Sequence, residues 1–149
     1  MRKFRGGDFM ATANVKVTFL CPIEKVWKKV TDLSECKWRS DLERIKIIDG
    51  SRFIEYSKEG IPTIFKVTKK EKNKLWRFEI ENKNIKGVWI GRFLSYGKST
   101  TLDFTESITA KKLYMKPFVG AYLRKKQRQY FIDLKKELGC EEAGEVQIF

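Results

Sequence analysis

Gln127 stands where an amide is costly. In the segment VGAYLRKKQRQYFIDLKKEL it falls between Leu123 and Tyr130 on an apolar helical stripe, where an unpaired amide would cost about 1–3 kcal/mol. A polar side chain so placed either orients the polar end of a bound molecule or meets a partner on a sheet or in a wet cavity. Tyr122 and Tyr130 share the segment and can donate hydrogen bonds inward. The other candidates carry rings: Trp38, Tyr56, Phe65, Trp76, Phe78, Trp89 and Phe93. Any one of them alone reads as core packing. As a set they describe a pocket wall rich in rings and poor in charge, suited to a flat or greasy molecule.

Several chemistries are excluded by composition. The chain has no histidine, which removes Ser-His-Asp and Cys-His catalysis, His-ligated zinc and proximal-His haem. The acids offer no clear substitute. Asp41 and Glu43 lie two apart, as solvated carboxylates often do, and Asp103 and Glu106 fall on opposite strand faces. None of these placements requires acid-base work, so no catalytic residue is assigned. "GRFLSYG" has neither phosphate-loop nor dinucleotide spacing, and no metal or cofactor is expected. Cys21, Cys36 and Cys140 are odd in number and lack CxxC spacing, so reduced, buried or idle thiols in a cytoplasmic protein are expected. No apolar run reaches the ~18 residues of a membrane span.

Charge offers a competing surface. Lys and Arg number 32 against 19 acids, a net charge of +13. Residues 111–138 hold nine Lys or Arg and two acids, and Arg124, Lys125, Arg128, Lys135 and Lys136 gather on one helix face. Such a face can meet nucleic acid, an anionic membrane or an acidic protein, or simply face solvent. The aromatic stacking positions of single-strand binders are not interleaved with it.

The elements that must position these residues follow from periodicity. "ATANVKVTF" alternates and predicts a strand. Pro22 then opens an amphipathic helix whose Ile23, Val26, Trp27 and Val30 keep helical spacing. "TDLSEC" supplies cap-forming residues for a second brief helix before Trp38. From 42 to 110 the period is two, in six segments: LERIKII, RFIEYS, TIFKVTKK, LWRFEIE, GVWIGRFL and TTLDFTESI. Asp49-Gly50 is the strongest hairpin signal among their breaks. In the fourth segment Trp76, Phe78 and Ile80 share a face; in the fifth, Val88, Ile90 and Leu94 compete with Trp89 and Phe93, and Gly91 can mark a bulge. A long helix is predicted over 115–138, with Val119, Leu123, Tyr130, Leu134 and Leu138 as its stripe, Phe131 at the edge and Gly139 as its stop.

That order resembles the helix-grip fold of the START and birch-pollen-allergen-like superfamily, in its polyketide cyclase/dehydrase-like (SRPBCC) branch. The matching features are Pro22 at the first helix, "VW" at 26–27, "TDL" at 31–33, Trp38, Trp89 in the penultimate strand and "GKSTTL" at 97–102. The resemblance implies an α+β fold in which a seven-stranded curved antiparallel sheet grips a long C-terminal helix, with two short helices after the first strand. It also implies a cavity between sheet and helix, whose end those short helices and Trp38 close. Residues 1–10 are expected to form a flexible leader, 11–139 a single domain and 140–149 a loose or weakly docked acidic tail. The function implied is binding or transport of a small hydrophobic or aromatic ligand. A cyclase- or dehydratase-like enzyme and a basic interaction module are the alternatives.

Overall fold

The computed structural model describes residues 10–141 and 147–148. The leader expected over 1–10 therefore lies outside the described residues except for Met10, as do 142–146 and 149 of the tail. Seven antiparallel strands follow the period-two pattern: β1 (Met10–Phe19), β2 (Leu42–Ile47), β3 (Arg52–Ser57), β4 (Pro62–Glu71), β5 (Leu75–Glu81), β6 (Ile85–Tyr96) and β7 (Ser99–Ala110). They lie in the order β2-β3-β4-β5-β6-β7-β1, so the first strand closes the meander against the last. A two-residue strand, β8 (Gln147–Ile148), adds to the outer edge of β1.

Helix α1 (Ile23–Thr31) starts at Pro22 and buries Ile23, Val26, Trp27 and Val30, the four apolar positions at helical spacing. No second short helix follows it. Residues 32–41 form turns instead. Asp32 Oδ1 accepts from Ser34 N at 3.0 Å and from Ser34 Oγ, closing a local turn with the side chains that would otherwise cap a helix.

The long helix is α2 (Val119–Leu138), preceded by a single 3-10 segment at Leu113–Phe118 that contains Pro117. Gly139 ends it at φ 66°, the left-handed conformation glycine adopts without penalty. Leu123 and Leu134 are fully buried against the sheet, each contributing about 1.5–3 kcal/mol of apolar burial. The C-terminal end of α2 is pinned to α1. Lys25 Nζ donates to Leu138 O at 2.8 Å, and Lys29 pairs with Glu137 at 3.0 Å. Cys21 and Cys140 are joined in a disulfide with Cα atoms 5.9 Å apart. This corrects the expectation of three reduced thiols. The pair lies 119 residues apart in sequence, and only the fold, which lays the end of α2 beside the start of α1, brings them together. Leu20 N donates to Glu141 O at 2.8 Å, so the chain just past α2 is docked as well.

Strand register settles which rings point inward. On β6 the odd positions face the helix, so Trp89 and Phe93 are buried while Leu94 is exposed. Gly91 marks no bulge: pairing to both neighbours runs unbroken through it. Its missing side chain has another purpose. A Cβ there would lie 2.3 Å from Cη2 of Trp89 and 3.1 Å from Cε1 of Phe104, so the glycine makes the space in which the indole lies.

Candidate functional site

Two adjoining spaces lie between sheet and helix. The inner one, about 90 Å³, is walled by Phe53, Phe65, Trp76, Phe78, Trp89 and Phe104, with Tyr130, Phe131 and Gln127 of α2 as its roof. The rings interlock: Phe53 stacks on Phe65 at 4.8 Å and Phe78 on Trp89 at 4.6 Å, while Phe104 meets Trp89 edge-on at 4.6 Å. The outer space is an open cleft of about 820 Å³. It runs between the loops at 57–61 and 82–84 on one side and, on the other, Tyr114 and Phe118 of the 3-10 segment and Tyr122 of α2. Asp41, Glu55 and Lys126 line both spaces and so stand where the two adjoin.

The inner space is not poor in charge. Arg39, Asp41, Glu55, Glu106 and Lys126 all line it. Arg39 grips Asp41 with two bonds, Nε to Oδ1 at 3.0 Å and Nη2 to Oδ2 at 2.9 Å, and reaches Glu55 Oε2 at 3.4 Å. Its guanidinium also lies 4.9 Å from the Tyr130 ring centroid. Burial opposes the Arg39 charge, but Glu55 and Asp41 outweigh it and the net shift is upward. Asp41 answers in kind: burial raises its pKa, and the bonds to Arg39 overcome this to leave it below the ordinary carboxylate range. The solvated readings of Asp41 and Glu106 are thus corrected.

Glu106 has a different environment. No hydrogen bond or ion pair reaches its carboxyl among the described residues. Burial pushes it up to about 7; Lys126 and Arg39 pull it down, and Glu55 adds to the rise. Lys126 likewise has neither a hydrogen bond nor an ion pair, and its ammonium sits 5.8 Å from the Tyr122 ring. Burial lowers its pKa, and Tyr122, Glu55 and Glu106 together raise it above the ordinary value. Two buried polar atoms of the chamber lining lack partners, Trp76 Nε1 and Gln127 Oε1. The Gln127 amide does donate from Nε2 to Ala13 O at 3.2 Å on β1. Burial raises the Tyr130 phenol far above its usual range.

The residues singled out in the sequence separate into three groups. Phe65, Trp76, Phe78, Trp89, Gln127 and Tyr130 line the inner space, and Tyr122 lines the cleft. Trp38 packs edge-on against Tyr130 at 5.4 Å, behind the wall, and Phe93 packs against Trp27 at 4.8 Å. Tyr56 is on the other face of β3, under Arg44 at 3.8 Å, because Phe53 and Glu55 take the inward positions. Glu55, Glu106, Lys126 and Arg39 were missed. Parity could have found two of them: Glu55 is two residues from inward Phe53, and Glu106 two from inward Phe104. Arg124, Lys125, Arg128, Lys135 and Lys136 are exposed on α2, and Lys125 lines the cleft. No helix among the described residues is long and apolar enough to cross a membrane.

No family model and no curated protein matches the chain. Solved structures do. A conserved protein from Geobacillus kaustophilus aligns at 15% identity over 89% of this chain and 99% of its own, with a TM-score of 0.74. A START superfamily protein from Mycobacterium smegmatis aligns at 16% identity over 87% and 97%, with a TM-score of 0.71. The Zhui aromatase/cyclase from Streptomyces sp. R1128 aligns at 12% identity over 88% and 94%, with a TM-score of 0.75. At these identities the likeness establishes the fold. It is the helix-grip fold, which this chain shares with these solved structures.

Proposed function

We propose that this chain binds, and by binding carries, a small hydrophobic or aromatic molecule between the sheet and the C-terminal helix. The observation that carries the reading is the cleft of about 820 Å³ that adjoins, at Asp41, Glu55 and Lys126, a chamber walled by six rings. Its volume lies in the range of small-molecule sites, and the mixture of rings with a few polar groups is their usual lining. A flat apolar end would meet the ring wall of the chamber, and a polar end the charges of Asp41, Glu55 and Lys126. Solved structures of this fold support the reading, one being a START superfamily protein and another an aromatase/cyclase. Native mass spectrometry of the purified protein, under gentle and then denaturing conditions, tests it. A released small molecule is expected. A clean apo mass, together with no binding of apolar fluorescent probes, would refute it.

One observation favours a second reading, a cyclase- or dehydratase-like enzyme. Glu106, Lys126 and Tyr130 line the same chamber, and a carboxyl with a pKa of about 7 can both give and take a proton at neutral pH. If turnover occurs, Glu106→Gln should abolish it while the protein stays folded and binds ligand; unchanged turnover in that variant would remove the reading.

A further inference from the structure

Five charged side chains line the inner chamber, and three of them are committed to one another. Arg39 directs its fork at Asp41 and its remaining arm at Glu55. Lys126 and Glu106 are left with no hydrogen bond or ion pair, although each is close enough to influence the other's protonation. Both line the same chamber and they form no ion pair with each other, so an ammonium and a carboxyl face one space with room between them for a third group. Both are half-buried in the chamber lining, and beside them the buried Gln127 Oε1 has no partner; a buried polar atom left so is costly, and the three together point to a polar atom of a ligand.

We propose that the gap between Lys126 and Glu106 is a binding site for one oxygen atom of the ligand, carried as a phenol, enol or carbonyl on a hydrophobic ring. The inference rests on the reading that the cleft binds a small hydrophobic molecule, and it names the class. An oxygen there accepts from the Lys126 ammonium. Glu106 completes the site either way: neutral, it donates to a carbonyl; ionised, it accepts from a phenol or enol O–H. The ring attached to that oxygen has a defined place, because Trp89 is the direct cross-strand neighbour of Glu106. Both side chains line the chamber, so a ring held there brings its oxygen within reach of the carboxyl. The Gln127 Oε1 atom, buried and without a partner, is available to a second hydroxyl.

Neighbouring charges narrow the choice. Glu106 on β7 is faced by Lys126 from α2, Glu55 from β3 and Arg39 from the 32–41 turn, with Tyr130 of α2 in the same lining. An amine would meet Lys126 and Arg39. A carboxylate would bring a further negative charge against Glu55 and Asp41. A neutral oxygen avoids both repulsions.

The test compares 2-naphthol with naphthalene, two rings of similar size that differ by one oxygen, titrated into the full chain by fluorescence near pH 6.5. Wild type should prefer 2-naphthol by about tenfold or more, the effect expected of a hydrogen bond to a charged group. Lys126→Met and Glu106→Leu should each reduce that preference below about threefold while naphthalene affinity is retained. If both probes bind wild type equally, the oxygen site is refuted and the hydrophobic carrier reading stands. If the preference survives in both variants, the assignment to Lys126 and Glu106 is refuted. If neither probe binds, the carrier reading fails and this inference fails with it. The wild-type comparison needs no variant to fold, and far-UV circular dichroism with thermal melts checks the two that are used.

Discussion

Glu106 should make stability fall as pH rises, opposite to the usual behaviour of a carboxylate in an ion pair. Its pKa is raised from the ordinary 4.5 to about 7, chiefly by burial, with Lys126 and Arg39 opposing and Glu55 assisting. The folded chain thus holds this proton more tightly than the unfolded chain. The stabilisation is complete below about pH 4.5 and is lost as pH climbs through about 7. At 1.36 kcal/mol per tenfold, the interval amounts to about 3 kcal/mol. Water reaching the carboxyl through the cleft makes that an upper limit. Glu106→Gln keeps the shape and cannot ionise. The stability difference between variant and wild type should therefore grow in favour of the variant between about pH 5 and about pH 8. It should reach at most about 3 kcal/mol, or roughly 6–12 °C in melting temperature for a chain of this size. Urea unfolding and calorimetry of ligand-free protein at several pH values measure the difference directly. If the two stability curves run parallel across that interval, the carboxyl is solvated, and the burial inferred from the packing is wrong.

Arg39→Met should destabilise the fold by about 3–5 kcal/mol at neutral pH, because it leaves Asp41 and Glu55 without their shared cation. The Asp41 share of that loss should shrink in acid, since its depressed pKa means its stabilisation is present above the unfolded value and disappears as pH falls; urea midpoints at two pH values decide. Gly91→Ala places a methyl 2.3 Å from the Trp89 ring and should cost about 1–3 kcal/mol, with altered near-ultraviolet dichroism as the indole moves. Unreduced, denatured protein should take one iodoacetamide, at Cys36, because Cys21 and Cys140 are joined. Three labels would contradict the bond. Reduction should lower stability by about 2–5 kcal/mol, since the bond closes a loop of 119 residues.

Much of the frame was legible because it is repetitive. Alternation in LWRFEIE assigned Trp76, Phe78 and Ile80 to one face, and all three are buried. Pro22 and Gly139 stand at the ends of the two helices, as their backbone preferences require. The site was harder to read because its character depends on exceptions to the pattern. Tyr56 was chosen for its ring, while register directs Glu55 inward and Tyr56 outward. Strict parity from Phe53 would have corrected that choice at the expense of a buried acid, a placement normally rejected because an isolated buried carboxylate is so costly. Arg39, which offsets the cost, sits in a turn with no periodicity at all. The Cys21–Cys140 bond was invisible for a related reason: no local rule connects residues 119 apart.

The pinning of α2 at one end explains where the charges can sit. Lys25, Glu137 and Cys140 fasten the C-terminal turns to α1, and Leu134 and Leu138 seal the sheet beneath them. At the other end the 3-10 segment leaves Tyr114 and Phe118 largely exposed along the cleft. Inward positions under the sealed end, such as Phe19, Leu102 and Val17, must be apolar and are fully buried or nearly so. Toward the cleft, inward positions can hold a charge if a partner or a ligand meets it. Glu55 and Glu106 occupy such positions on β3 and β7, and Lys126 faces them from α2. Moving a comparable acid to the sealed end, as in Leu102→Glu, offers no cation and no access to water. That substitution should prevent folding, whereas Glu106→Leu should leave a folded protein; expression and thermal melts of the two variants test whether nearness to the cleft decides where a charge is tolerated.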